Sequence, residues 1–299
     1  MERTDKNIVK RALPKRPDDA NKGTTGTLLS ICGSYGMAGA AILSGKAALR
    51  CGIGLEKLAL PKSIYPIAAQ SILESVFLPL SETDDGKISR LNIPYLLDES
   101  KKSTAVLLGC GLSVCDDTRE LVFSFIENCE TPMVLDADAL NCVAESPEIL
   151  KRRKAEIIIT PHPGEMARLC KSTAKEINLD RENTAKGFAE EYGVITVLKG
   201  HGTLIASPGG KVLLNTTGNS GMATGGSGDV LAGMTAALLA QGKSAFDCAA
   251  AAVYLHGTAG DLAAEKLGKI SMLPSDMIEL IPEAFNSRQH RTICGTRLA

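Results

Sequence analysis

Tryptophan is missing from the 299-residue chain, and aromatic side chains of any kind make up only 4 % of it. Stacking surfaces for bases are built from aromatic rings, so a nucleic-acid platform is not expected. Charge of either sign is not in excess: 33 Lys and Arg stand against 34 Asp and Glu. No basic stripe suggests nucleic acid, and no cationic amphipathic helix suggests a membrane surface. Apolar runs are too short, or too broken by glycine and charge, to span a bilayer. The opening stretch MERTDKNIVKRALPKRPDDANKG lacks the apolar segment of a signal peptide, so the expected location is the cytoplasm. Nine cysteines never form C-x-x-C. The closest pair, Cys110 and Cys115, has no histidine at zinc-site spacing, and they read as reduced, mostly buried small residues. The common phosphate motifs are absent too: Ala237 stands where a P-loop ending at Gly242-Lys243-Ser244 needs its first glycine, and no G-x-G-x-x-G occurs.

What the chain does have is an alternation of short apolar runs with helical patterns. The runs at 27–32, 56–61, 103–109, 131–138, 156–164 and 193–200 are continuously apolar. That pattern fits strands of a parallel sheet covered on both faces. Helical patterns occupy 37–52, 116–129, 164–172 and 180–193, and the text is Ala/Leu-rich and helical from 228 to about 264. Residues 202–215 carry Pro208-Gly209-Gly210 between two short strands, a hairpin signal. No linker or repeat divides the chain, so one three-layer α/β domain with a mainly parallel sheet is expected. Ligands of such folds sit beyond the C-terminal ends of the strands. The chemically notable residues all follow strands: Gly109–Gly111, Asp136, Asp138, Pro161–Glu165 and Lys199–Thr203.

The stretch GNSGMATGGSGDVLAG (218–233) sets Gly221, Gly225, Gly226 and Gly228 just ahead of Asp229. Glycine is costly in an ordered backbone, so the cluster implies unusual dihedrals or close approach of a ligand. If a helix starts here, Gly225, Gly226, Ser227 and Gly228 form an anion hole of backbone N–H groups aided by the helix dipole. Asp229 is then placed to take a proton from a hydroxyl that attacks phosphorus. The plainer alternative is a first-turn aspartate that stabilises the helix by roughly 0.3–2 kcal/mol. Asp136 and Asp138 are candidates for Mg²⁺, with Asp136 alternatively only bonding backbone at the end of its strand. Glu165 is a candidate for Mg²⁺ through water, or for a plain N-terminal helix charge.

The element GNSGMATGGSGDVLAG resembles the G-[TSA]-G-D signature of ribokinase-like enzymes. Together with VLDADALN, ITPHPGEMARL and VLKGHGTLIASPGG, it is similar to the NAD(P)H-hydrate dehydratase family over residues 22–285. Residues 1–21 are then a charged N-terminal extension and 286–299 a C-terminal tail. The resemblance implies a ribokinase-like fold and an ADP- or ATP-driven removal of water from the S epimer of hydrated NADH or NADPH. Asp229 matches the catalytic base and contacts the hydrate. Ala40, Gly111 and His162 match positions that hold the hydrate. Gly228 and the loop Lys199, Gly200, His201, Gly202 and Thr203 match the donor-nucleotide site. Taken alone, Lys199 also fits a strand-end lysine reaching to solvent, and the side chains of His201, His256 and His290 have only a structural context. The resemblance further implies Mg²⁺, a homo-oligomer (a tetramer), and an NAD(P)H-hydrate epimerase supplied separately. Two other readings share parts of the pattern. One is a ribokinase-like kinase of a small alcohol such as hydroxymethylpyrimidine or hydroxyethylthiazole. The other is a non-catalytic nucleotide-sensing module, which has no need of both Asp229 and the glycines.

Overall fold

The continuously apolar runs become strands because helices cover both of their faces. The computed structural model describes residues 1–242 and 244–286, and ten strands form one sheet. They are β1 (Glu2–Arg3), β2 (Thr27–Ile31), β3 (Leu55–Pro61), β4 (Val76–Leu80) and β5 (Ala105–Leu108). The second half supplies β6 (Met133–Leu135), β7 (Ile157–Ile159), β8 (Ile195–Leu198), β9 (Leu204–Ala206) and β10 (Val212–Leu214). Their spatial order is β1-β10-β9-β8-β7-β6-β5-β2-β3-β4. All pairings are parallel except those of β9 with β8 and β10.

Alternation of side chains divides each strand between two cores. On β5, Ala105 and Leu107 face one core while Val106 and Leu108 face the other. Lys6–Ala12, Ala38–Arg50, Ser227–Gln241, Ala245–Leu267 and Pro274–Asn286 cover the first face. Asp116–Asn128, Asp138–Glu145, Pro163–Leu169 and Arg181–Tyr192 cover the second. The architecture is the three-layer α/β arrangement expected.

Several elements were not legible in the sequence, the helices Tyr65–Ser71, Ile93–Lys101 and Pro274–Asn286 among them, and three other features have identifiable causes. The start of the chain is folded in: β1 pairs with β10, and Ile8, Val9 and Ala12 are buried beneath charged neighbours. β4 is an edge strand whose apolar run VFLPL holds Pro79, a residue that argues against a strand in sequence because it cannot donate to the ladder. The Ala/Leu-rich stretch is two helices, because the backbone at Gly242 lies against Cys248 Sγ, leaving no room for a side chain. The expected tail lies outside the described residues except for Asn286, and so does His290. Among the described residues no helix is long and apolar enough to cross a membrane.

From β2 the chain runs outward through β3 and β4, then returns to β5 on the other side of β2. In such sheets the usual ligand position is at this reversal, beyond the C-terminal ends of β2 and β5.

Candidate active site

Lys199 follows β8 directly, but its side chain does not reach for solvent. Nζ donates to Asp136 Oδ1 at 2.8 Å and lies 3.7 Å from Glu165 Oε2. Burial opposes the ammonium charge, yet Asp136 and Glu165 outweigh it and hold the pKa above the usual lysine value. Asp136, 1 % exposed at the end of β6, also accepts from Thr160 Oγ1 at 2.6 Å and from the Cys110 thiol at 3.8 Å. Its partners are therefore side chains rather than backbone. Ala137, beside it, holds φ 50°, a sparsely populated region for a residue with a Cβ and a form of strain that collects at functional sites.

Asp229 lies in the first turn of Ser227–Gln241, within a cluster that brings ligand atoms of Cys110, Asp136 and Asp229 to within 4.8 Å of one another. Burial first, then the charge of Asp136, push its pKa up to about 6, against the pull of the Cys110 thiol and Lys199. The Cys110 thiol is itself raised well above normal by its bond to Cys32 and by burial, so it remains a neutral donor. The site thus separates two neighbouring carboxylates. Asp136 is neutralised by an ammonium, while Asp229 has no ion pair among the described residues and sits near its own titration point.

The glycine run ahead of Asp229 divides by purpose. Gly226 caps the helix at φ 96°, where a side chain would also press on Leu43 Cδ1 at 2.6 Å, so the fold itself requires it. At Gly225 a Cβ would meet nothing within 4 Å, and at Gly228 it would lie 3.4 Å from Lys199 Nζ. Packing therefore gives no reason for glycine at 225. The helix N-terminus at Gly226–Gly228 lies beside the buried Lys199 ammonium, an arrangement that suits an anion. Ser227 differs from its neighbours: its N–H turns to Thr224 O at 3.3 Å and its hydroxyl lies 3.4 Å from His256 Nε2.

Gly111 and Ala40 come together beside Cys110, since a Cβ at Gly111 would stand 2.7 Å from that of Ala40. His162 is tied in through Glu165: its N–H donates to Glu165 Oε2 at 2.8 Å, and its Nδ1 accepts from the N–H groups of Gly164 and Glu165. The ring therefore caps Pro163–Leu169 through Nδ1, on an exposed side chain whose Nε2 faces Glu165 Oε1 at 3.6 Å. In the loop Lys199–Thr203, Thr203 Oγ1 donates to Gly200 O at 3.0 Å and His201 is exposed. Neither touches the cluster around Lys199.

The carboxylates do not fit direct Mg²⁺ ligation as a set. Asp136 is engaged by Lys199 and Thr160, and Asp138 by Ser113 N at 2.8 Å and Asn141 Nδ2 at 3.1 Å. Glu165 holds His162 N–H and faces Lys199, and a thiol is a poor ligand for so hard a cation. One member of the cluster escapes a reading of the sequence. Cys110 passes as one of many small apolar residues until β5 brings it against Asp136. His256, read as structural, is buried, kept neutral with its pKa lowered to about 4 by burial, and lies 3.0 Å from the Ser227 carbonyl.

A family model described as NAD(P)H-hydrate dehydratase matches residues 28–283. A bifunctional NAD(P)H-hydrate repair enzyme of Moorella thermoacetica is 41 % identical over 270 residues, 90 % of this chain and 51 % of its own length. The chain thus spans about half the length of such bifunctional relatives. An ADP-dependent (S)-NAD(P)H-hydrate dehydratase of Neisseria meningitidis is 37 % identical over 256 residues, 85 % of this chain and 82 % of that protein. The ADP/ATP-dependent NAD(P)H-hydrate dehydratase of Bacillus subtilis, co-crystallised with ATP and Mg²⁺, superimposes with a TM-score of 0.80 at 29 % identity, over 95 % of this chain and 97 % of that one. The fold is ribokinase-like, and the chain belongs to the NAD(P)H-hydrate dehydratase family.

Proposed function

We propose that this protein removes water from the S epimer of hydrated NADH or NADPH, driven by ADP or ATP, and so restores the reduced nicotinamide cofactor. The observation that carries this reading is the unpaired, half-buried Asp229 with a pKa of about 6, set beside an anion-suited glycine loop and buried Lys199. At neutral pH Asp229 is mostly ionised and acts as the base. It takes the proton of the ring hydroxyl as that oxygen attacks the terminal phosphorus of the nucleotide, which leaves one phosphate shorter. The N–H groups around Gly225, Gly226 and Gly228, with Lys199, bear the charge that builds on the transferring phosphoryl group. Phosphate then departs with the C–O electrons, and loss of a proton from the adjoining ring carbon re-forms the double bond.

Ala40, Gly111 and His162 hold the hydrate in this reading; Gly228 and Lys199–Thr203 hold the nucleotide. Mg²⁺, if used, would have to arrive with the nucleotide, since Asp136, Asp138 and Glu165 are engaged by protein partners. Residues 22–285 form the catalytic unit of a cytoplasmic homotetramer. A functional link to an NAD(P)H-hydrate epimerase is supported by the repair enzymes that are bifunctional.

The deciding assay mixes purified protein with the S hydrate of NADH, Mg²⁺, and ADP or ATP in parallel, and follows absorbance of reduced nicotinamide and released phosphate. Recovery only with nucleotide is expected. Equal recovery without nucleotide overturns the phosphorylation step, and a stable phosphorylated product with no recovered nicotinamide absorbance selects the kinase reading.

A further inference from the structure

Arg181 begins the helix Arg181–Tyr192, yet its guanidinium is given wholly to another part of the chain. Nη1 donates to His201 O, and Nη2 donates to Leu198 O at 3.0 Å and Lys199 O at 3.2 Å. Nε is buried without an acceptor among the described residues, and burial alone displaces the pKa, downward, with no carboxylate contributing. An arginine held by three carbonyls and no anion is unusual, since this side chain ordinarily finds a carboxylate or phosphate.

The carbonyls it holds decide where the loop's donors point. No peptide bond here is cis, and in a trans peptide the C=O of one residue and the N–H of the next are antiparallel. Drawing back the carbonyls of 198, 199 and 201 therefore turns the N–H groups of 199, 200 and 202 to the opposite side. The first is taken by Pro161 O at 2.9 Å; those of Gly200 and Gly202 have no acceptor among the described residues. Gly200 permits this arrangement: its φ is 143°, and a Cβ there would stand 3.0 Å from Arg181 Nη2.

We propose that Arg181 is a positioning residue for the donor nucleotide. By pinning the carbonyls of the 198–201 segment it presents the N–H groups of Gly200 and Gly202 as donors, and its uncompensated charge favours a bound di- or triphosphate. This rests on the nucleotide-dependent reading above. Arg181 acts through the loop and does not need to touch the reacting atoms.

The test is calorimetric binding of ADP and ATP to the full chain, wild type against Arg181→Met, Arg181→Lys and Gly200→Ala, with steady-state kinetics on the same preparations. Loss of charged hydrogen bonds should weaken nucleotide binding about 10- to 100-fold in Arg181→Met. The KM for the hydrate should stay within about twofold, as expected when one ligand's binding alone is lost. Arg181→Lys keeps the charge without the planar fork and should recover only part of the affinity. Gly200→Ala drives a methyl group towards the guanidinium and should show the same selective defect, which serves if Arg181→Met does not fold. Unchanged nucleotide affinity in Gly200→Ala or Arg181→Met overturns the proposal. So does an equal rise in both KM values together with a lowered melting temperature, the mark of a merely structural arginine. Wild-type protein that binds neither nucleotide overturns the functional reading itself, whereas wild-type binding with unaltered variants removes only the role of Arg181.

Discussion

Glu56 on β3 and Asp229 at the start of Ser227–Gln241 are both carboxylates whose pKa burial raises. Glu56 is fully enclosed; Ser30 Oγ donates to Oε1 at 3.1 Å and Ser75 Oγ to Oε2 at 2.6 Å. It faces no cation among the described residues and packs against the backbone of Gly45. Asp229 stays partly open, with Asp136, Lys199 and the Gly225–Gly228 turn beside it. Desolvation is common to the two. What separates an enclosed core acid from a base poised near physiological pH is the charged neighbourhood and the way out to a ligand.

The largest effect that sharpens this contrast is on rate. Asp229→Asn keeps shape but not the capacity to accept a proton, so turnover should fall by about 10²–10⁴. Glu56→Gln should leave turnover near wild type. Wild-type kcat/KM should fall as pH drops through about 6, where Asp229 gains its proton, and the residual rate of Asp229→Asn should lack that step. A near-normal rate for Asp229→Asn, or an equal loss in Glu56→Gln, removes the distinction.

Next in size is the ion pair that Asp229 lacks and Asp136 has. Lys199→Met strands Asp136, which is 1 % exposed, and leaving a buried charge unpaired costs about 3–5 kcal/mol. Nucleotide binding should weaken in the same variant. Adding Asp136→Asn should restore much of the melting temperature without restoring binding, a coupling that a double-mutant cycle reads directly. No recovery in the double variant means that the pair is not what holds these strand ends together.

The strand ends were legible because backbone rules act locally. Continuous apolar runs marked the parallel strands, and glycine and charge marked where each one stops. The glycine–aspartate element was legible for the same reason. The Lys199–Asp136 pair was not, because 63 residues separate the partners and only the β6-β7-β8 order brings them together. Cys110 and Arg181 escaped likewise: a thiol after β5 and an arginine opening a helix acquire meaning only from what packs against them. β1 and Lys6–Ala12 look like solvated charge because two strand residues and three buried apolar ones leave a short trace.

The smallest effect is the most discriminating, because its sign differs between a capping aspartate and a poised base. Asp229 has a folded-state pKa of about 6 against an ordinary 3.8. Below 3.8 both folded and unfolded chains carry the proton, and the site costs nothing. As pH rises from there to about 6, the unfolded chain releases its proton first, so stability falls through that window and stays lowered above it. At about 1.4 kcal/mol per pH unit the cost reaches roughly 2–3 kcal/mol, reduced by whatever the carboxylate gains from the helix dipole, about 0.3–1 kcal/mol. Asp229→Asn cannot titrate and escapes this cost. Its stability relative to wild type should therefore be near zero close to pH 3.5 and rise to roughly 1–2 kcal/mol in favour of the variant at pH 7. A plain capping aspartate gives the reverse, a variant less stable at pH 7 by about 1 kcal/mol or less. Denaturant unfolding of both proteins across pH 3.5–7.5 separates the two, and a difference that is flat or negative at pH 7 shows that Asp229 is not held poised by its surroundings.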